Sequence, residues 1–317
     1  MKMILLLTGV FACFCSYTQS LQFENPPASP RIFADGVIST VNYEQDFALS
    51  PDGKELFYTL QAPKQGVFQT ILYMHKDANG KWSAPEVAPF AGNYSDLEPA
   101  FSSDGQKLFF SSNRPLQANQ PKDFDIWWVE KKNGAWGEPK NIGPPVNTNG
   151  DEYYPSITNS GNLYFTATRK NAVGKEDIFL ARLEENKYQE PVALDTTINS
   201  TTYEFNAFVS PDERIIIFSS YGRKDDQGGG DLYMSIKNEL GQWQKATNLG
   251  WINSAQLDYC PFISFDKKVF FFTSDRHELK TCYPNGTNYK ELLHSFSSIM
   301  NGGGNIYWMD FDRLIAK

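Results

Sequence analysis

"SPDGKELFYTL", residues 50–60, is a polar turn followed by an unbroken apolar run, and the chain writes it again and again. "SSDGQKLFFSS" starts at 102, "TNSGNLYFTA" at 158, "SPDERIIIFSS" at 210 and "SFDKKVFFFTS" at 264. Aligned on the turn, Asp52, Asp104, Ser160, Asp212 and Asp266 recur every 52 to 56 residues. A period near fifty means a solenoid, a propeller or an array. In the turn, proline presets φ, aspartate bonds its own backbone and glycine accepts positive φ. The run that follows does not alternate, so both faces of that strand are covered.

Outward from the turn, each unit holds three more candidate strands. A short semi-apolar strand precedes it: "FAL", "PAF", "PSI", "NAFV" and "PFI". A third strand reads "ILYM", "DIWWV", "DIFLA", "DLYMS" and "NIYWM", and a fourth follows Trp82, Trp136, Tyr188 or Trp243. Four strands joined by hairpin turns, with no crossover helix, make a propeller blade. The last unit stops after its third strand at "NIYWMDF", while an orphan segment, "RIFADGVISTVNYE" at 31–44, resembles the fourth strand elsewhere. Pairing the two ends would complete the last blade and remove two exposed sheet edges. The expectation is therefore all-β: a propeller of four-stranded antiparallel blades over 32–317, five blades with six as the alternative, closed by its own termini.

Composition bounds the setting. Of 317 residues, 41% are hydrophobic and 21% charged, so no long block reads as disordered. The first twenty residues, "MKMILLLTGVFACFCSYTQS", have a basic start at Lys2, an apolar core from Met3 to Cys15 and a small-x-small end at Thr18-Gln19-Ser20. That is an export signal, too short to span a bilayer. The competing reading is a lipid anchor at Cys13, with Val10-Phe11-Ala12-Cys13 as a degenerate lipobox. Residues 21–31 read as a linker. Acids outnumber bases 37 to 29 and no basic run occurs, which argues against nucleic acid and anionic lipid as partners.

The repeat resembles the WD40-like repeat of TolB-type propellers, whose pattern runs P-x-I-S-x-D-G-x-x-L-x-F-x-S-x-R, then D-I-Y, W-x-x-P and N-L-G-x-x-I-N-T. The resemblance covers about 44–317 and departs at Ser160, where the turn acid is lost, and in the first blade, which lacks the arginine. It implies a propeller and a class of setting, namely scaffolds and binding modules of the periplasm or outer membrane. Fold alone does not fix function.

Eight positions before each turn residue stands an acid: Glu44, Asp96, Glu152, Glu204 and Asp258. In a propeller these enter the innermost strands and ring one channel mouth. Arg114, Arg169, Arg223 and Arg276 follow the second strand in four blades and emerge on the same face. One reading is a circlet of charge-assisted bonds fastening the loops. The sharper one is a binding site for a cation or sugar. Catalytic groups usually break internal symmetry and these keep it, which favours the first. His75, His277 and His294 are too few for a histidine metal site, and neither G-x-S-x-G nor H-E-x-x-H occurs. No catalytic residue, metal site or cofactor is assigned. The live enzymatic alternative is glycoside hydrolysis by a pair of mouth carboxylates. Asp125, Asp177 and Asp231 read as structural, the two Gly-Gly-Gly stretches as hairpin entries, and the three tryptophans as packing rather than sugar platforms.

One segment breaks the repeat. Between the second and third strands of the last unit, 277–301 swells to "HELKTCYPNGTNYKELLHSFSSIMN". Residues 289–300 carry helical periodicity with Leu292, Leu293, Phe296, Ile299 and Met300 on one face, Asn288 as N-cap and Gly302 as terminator. The insertion should lie across or beside the channel mouth, as a plug or a binding element. Cys260 and Cys282, the two cysteines outside the leader, suggest a disulfide pinning it. The sequence thus points to an exported monomer that binds an envelope protein or a glycan.

Overall fold

The computed structural model describes residues 21–117 and 122–316; the proposed export signal, with Cys13, lies outside the described residues. Five antiparallel sheets are arranged as the blades of a propeller. Blade 1 runs Tyr43–Leu49, Glu55–Gln61, Gln69–His75 and Glu86–Val87, from the axis outward. Blade 2 runs Asp96–Phe101, Lys107–Ser112, Asp125–Lys132 and Lys140–Asn141. Blade 3 runs Glu152–Ile157, Leu163–Ala167, Asp177–Ala181 and Val192–Ala193, with a side hairpin of Leu183–Glu184 and Lys187–Tyr188. Blade 4 runs Tyr203–Val209, Ile215–Tyr221, Asp231–Ile236 and Thr247–Asn248. Blade 5 takes Asp258–Ile263, Val269–Ser274 and Asn305–Asp310 from the chain's end and Arg31–Ile32 from its start. Arg31 lies opposite Trp308 and Ile32 opposite Tyr307, so the termini close the ring. The outermost strands are two residues long, which leaves little edge for unwanted pairing.

The turn that heads each second strand works as its residue types dictate. Ser50 Oγ donates to Asp52 Oδ1 at 2.7 Å, and the Lys54 amide donates back to the same oxygen at 3.1 Å. The fourth turn position is left-handed in every blade: Gly53, Gly105 and Gly161, but also Glu213 and Lys267. Glycine there is free of strain, whereas Glu213 and Lys267 are strained. The second strands bury both faces, as their lack of alternation predicts. Leu56, Phe57, Leu108, Phe110, Leu163, Phe165, Ile216, Phe218, Phe270 and Phe271 are each 0% exposed. Between blades the rings meet directly; Phe47 of blade 1 stacks on Phe271 of blade 5 at 4.4 Å. Each such side chain contributes roughly 2 kcal/mol of burial.

Two segments differ from the sequence reading. Residues 21–31 are no loose linker: Phe23 packs on Phe33, Phe47, Trp82 and Phe271, and Pro27 accepts from the Asp310 amide. Its aromatic ring outweighs the proline-rich composition around it. After the last strand, Phe311–Ile315 forms a short helix that buries Phe311 and Leu314 against blades 4 and 5. No helix among the described residues is long and apolar enough to cross a membrane.

Candidate functional site

The five predicted acids do form a ring where the innermost strands begin, each at most 2% exposed. In four blades the predicted arginine meets them: Arg114 Nη2 lies 2.5 Å from Asp96, Arg169 3.2 Å from Glu152, Arg223 2.8 Å from Glu204 and Arg276 2.9 Å from Asp258. The same guanidinium nitrogens donate to the carbonyls of Phe90, Val146, Ile198 and Ile252, in the loop arriving from the preceding blade. Each guanidinium also lies over two aromatic or phenyl rings of its own blade, as Arg223 does over Phe218 and Tyr233. The loop completes the site: the Thr148 amide and hydroxyl donate to Glu152, and those of Ser200 and Ser254 donate to Glu204 and Asp258. Glu44 has the Thr40 amide and hydroxyl, at 2.9 and 2.5 Å, and no arginine. Burial pushes the carboxyls of Glu44, Asp96 and Glu152 above their ordinary range, against these donors. The ring occupies its carboxylates in fastening one blade to the next.

Two residues further along each innermost strand lies a second ring that sequence reasoning missed. Asp46, Glu98, Tyr154, Asn206 and Cys260 all have φ between 49 and 60°. The ladder to the second strand slips at each of these places, so every innermost strand bulges. Non-glycine residues held there store strain, and five in register mark a designed feature. Their side chains meet across the axis. Cys260 Sγ of blade 5 donates to Asp46 Oδ1 of blade 1 at 2.7 Å. Glu98 Oε2 accepts from Ser111 Oγ and from the Tyr154 amide, both at 2.7 Å, and Glu98 Oε1 accepts from Asn206 Nδ2 at 3.3 Å. Tyr154 donates its hydroxyl to the Pro261 carbonyl at 3.0 Å, joining blade 3 to blade 5. Asp46 Oδ2 is buried without a partner.

This packing has electrostatic consequences. Burial pushes Glu98 up to about 8, helped by the nearby Asp46 charge and opposed by Ser111 and Tyr154. Burial likewise pushes Asp46 up to about 6, opposed by Cys260, Thr59 and the Glu98 amide. Both axial carboxyls are thus held above their ordinary range, Glu98 further than Asp46. Burial and the Asp46 charge hold the Cys260 thiol well above its ordinary range, which makes it a poor nucleophile. The signal for this ring was available: two positions after the ladder acid the five units carry Asp, Glu, Tyr, Asn and Cys. At that offset the repeats keep their backbone and disagree in chemistry.

Above the axial ring, towards the arginines, stand Gln45, Leu97, Tyr153, Phe205 and Tyr259, one per blade. The Tyr259 hydroxyl lies 3.0 Å from Gln45 Oε1 and 3.2 Å from Asp275 Oδ1. Tyr153 packs on Phe124 with ring centroids 5.2 Å apart. Burial pushes Asp275 up to about 6 and Glu176 up to about 7. Below the axial ring the channel narrows to a cavity of about 30 Å³ among Phe47, Pro99, Pro155, Phe208, Pro261 and Phe262. That is room for about one water molecule. Among the described residues no cluster of His, Cys, Asp or Glu could hold a metal ion.

The insertion forms a helix over Tyr289–Phe296. Asn288 caps it as predicted, accepting from the Glu291 amide at 3.0 Å, but the helix ends at Ser297 rather than reaching Gly302. It has no buried residue; Leu292 is half-buried, while Tyr289, Leu293 and Phe296 are 78, 50 and 59% exposed. The insertion is tied at its base, where Asn301 Nδ2 donates to the Val41 carbonyl and Asn305 Nδ2 to that of Ile299. It therefore stands over the seam between blades 5 and 1, on the face of the arginines. The expected disulfide is absent: Cys260 is a buried free thiol turned to the axis, and Cys282 is an exposed free thiol. A side chain committed to Asp46 cannot reach a surface loop.

The remaining singled-out residues have structural contacts. Asp125, Asp177 and Asp231 accept from Asn141, from the Gly174 amide and from Asn248. Gly228 runs so close to Ala255 that a Cβ would sit 2.3 Å from its backbone. Trp82, Trp136 and Trp243 pack between blades, each beneath a lysine amine: Lys76, Lys131 and Lys237.

No protein-family model matches this sequence, and no curated protein does. Among solved structures, the chain is similar to a putative TolB from Agrobacterium tumefaciens, at 16% identity and a TM-score of 0.47 over 85% of this chain and 91% of that one. It is similar to an α-L-arabinofuranosidase from Podospora anserina at 11% identity and 0.48, over 90% and 98%. An endo-arabinase from Bacteroides thetaiotaomicron matches at 15% identity and 0.47, over 86% and 95%. None of these reaches a TM-score of one half, and the five-bladed architecture rests on the strand pairing itself.

Proposed function

We propose that the chain is an exported, TolB-like propeller of the cell envelope that binds a protein or a glycan on its arginine face and performs no chemistry of its own. The observation that carries this reading is the insertion 277–301. It is the one large break in the repeat, and it holds Tyr289, Leu293 and Phe296 exposed on a helix anchored at the channel rim. Exposed aromatic and aliphatic groups spaced i, i+4 and i+7 on a rigid element suit recognition, while four of the five mouth acids are already bonded to arginine and Glu44 to Thr40. Replacing 279–300 by a short Gly-Ser turn should leave the propeller folded and abolish binding of neutral glycans in an array and of protein partners in pull-downs from envelope extract. Binding that survives the replacement would place the site elsewhere on the ring.

A second reading rests on Glu98 and Asp46, two neighbouring buried carboxyls that burial holds above their ordinary range, as the acid of a glycoside-hydrolase pair requires. Tyr259 and Gln45, which neighbour Cys260 and Asp46 in the chain, are hydrogen-bonded to each other, and a substrate reaching the axis on that side would have to part them. Release of reducing sugar from arabinan or xylan by the intact chain, lost in Glu98→Gln, would favour this reading over the first.

A further inference from the structure

The seam between blades 2 and 3 departs from the other seams. Three of those seams are filled on their outer side by a lysine–tryptophan pair, with the amine over the ring: Lys76 over Trp82 at 5.0 Å, Lys131 over Trp136 at 5.2 Å and Lys237 over Trp243 at 4.7 Å. Between blades 4 and 5 the gap is filled by Phe311 and Leu314 of the last helix. Blade 3 has Leu183 and Tyr188 in place of the pair, facing each other across the side hairpin. The smaller ring leaves a groove of about 530 Å³ between that hairpin and blade 2, walled by Trp128, Ile142, Pro144, Pro145 and Tyr188. Its size is that of a small-ligand site.

Positive charge gathers at this groove although the chain as a whole is acidic. The amines of Lys107 and Lys140 both lie over the half-buried Trp128 ring, 4.7 and 4.5 Å from its centroid. Lys187 lies on the facing hairpin, whose turn residues Glu185 and Asn186 have φ of 50 and 62°. Lys140 has Glu130 at 4.0 Å, a loose pair; Lys107 feels the Asp104 charge and Lys187 lies opposite Glu184 on the hairpin, but neither has a carboxylate within ion-pair distance among the described residues. An anion in the groove would meet Lys107 from the blade 2 side and Lys187 from the hairpin side. We propose that this groove binds an acidic saccharide: a uronate-bearing chain whose sugar rings pack on Tyr188 and the proline wall while its carboxylates meet Lys107 and Lys187. An extended acidic peptide fits less well. The strand bordering the groove, Lys140–Asn141, is two residues long and offers no ladder for a peptide backbone. This inference names a ligand class within the binding reading above, but at a different place on the ring.

The test uses the full mature chain and an oligogalacturonate, titrated by calorimetry at low and at physiological salt, with a neutral xylo-oligosaccharide and poly-glutamate as controls. Binding of the uronate should be roughly tenfold weaker in Lys107→Gln/Lys187→Gln, weakened by Tyr188→Ala, and reduced by salt. Leu293→Ser/Phe296→Ser in the insertion should leave it unchanged. Uronate binding that survives the lysine and tyrosine changes would overturn the groove. If it is lost instead in the insertion variant, the groove fails while the binding reading stands. Preference for poly-glutamate would overturn the saccharide assignment, and absence of uronate binding to the correctly folded chain would overturn the proposal outright.

Discussion

The two rings that surround the axis are built from the same innermost strands, two residues apart, and they obey opposite rules. In the outer ring chemistry repeats: a carboxylate in all five blades, an arginine in four, and the same carbonyl from the loop before. In the axial ring only the backbone repeats, and Asp46, Glu98, Tyr154, Asn206 and Cys260 each do something different. Fivefold repetition suits a seam that must be closed five times. At the axis all five side chains share one space, and identical residues would clash or repel. Repeated chemistry here marks assembly; varied chemistry on a repeated backbone marks the place where a single packed solution was selected.

The largest expected effect comes from breaking the outer ring. Arg114→Ala strands Asp96, which is 0% exposed, and should cost about 3–5 kcal/mol in denaturant unfolding. Adding Asp96→Asn should recover part of that loss, because it removes the uncompensated charge. In the same ring Glu44→Gln should cost the least of the five equivalent changes, since no arginine is left unpaired. A ring whose five positions respond alike would refute the division of labour between arginine and loop.

Next comes the axial ring, whose signature is pH. Glu98 is raised in the folded state from an ordinary carboxyl to about 8, so the folded chain holds a proton that the unfolded chain has released. Its share of stability is full below the unfolded value and fades as pH climbs through 8. Asp46 acts in the same direction over a lower window, ending near 6. Glu98→Gln should therefore flatten the fall in melting temperature between about pH 5 and 9, and should raise stability at the alkaline end by an amount on the order of a few kcal/mol. An unchanged pH profile in this variant would show that Glu98 is not the buried acid responsible.

What the sequence made legible follows from the same contrast. The turn, the apolar second strand, blade count, closure by the termini and the whole outer ring could be aligned because each is written at a fixed offset. The axial ring could not, since a search for repeated residue types passes over the one offset where types differ. The absent disulfide belongs with it: Cys260 and Cys282 read as a pair because they are the two cysteines outside the leader, but the bulge turns Cys260 inward to Asp46. Ser160 was legible as a departure and not as its remedy. Glu213, reaching over from the turn of blade 4, accepts from Thr158 at 3.0 Å, Ser160 at 2.8 Å, Asn162 at 2.8 Å and Tyr164 at 3.1 Å. A neighbour's residue supplies the carboxylate that blade 3 lacks, and pairwise contact across a seam is invisible in a single repeat.

That replacement sets up a middle-sized test. Glu213→Gly would restore the residue that blades 1 to 3 carry in this left-handed turn position and relieve its strain. It would also leave four donors of blade 3 without their acceptor. If the borrowed carboxylate matters, the loss exceeds the relief, and the variant should be less stable by roughly 1–2 kcal/mol. Adding Ser160→Asp should then restore stability, because the acid returns to its own blade. A stabilised single variant would mean that strain dominates and that the four bonds are incidental.

The smallest effect concerns the thiols and distinguishes the two regions without unfolding either. Cys260 is 2% exposed and its proton is held by Asp46, so it should be inert to a thiol reagent while the chain is folded. Cys282 lies exposed on the insertion and should react at once. One fast thiol in the native protein and a second only after denaturation is the expected count in protein lacking the leader. Because burial, helped by the Asp46 charge, drives its pKa upward, Cys260 should stay unreactive even at mildly alkaline pH, where an ordinary cysteine gains thiolate. Cys260→Ala should cost about 1 kcal/mol, leaving Asp46 Oδ1 short of a donor beside the already unpartnered Oδ2. Its pH profile should shift as well, with Asp46 titrating higher once that hydrogen bond is gone. Two fast thiols in the folded chain would mean that the axial ring opens to solvent, and the contrast between a sealed axis and an exposed insertion would fail with it.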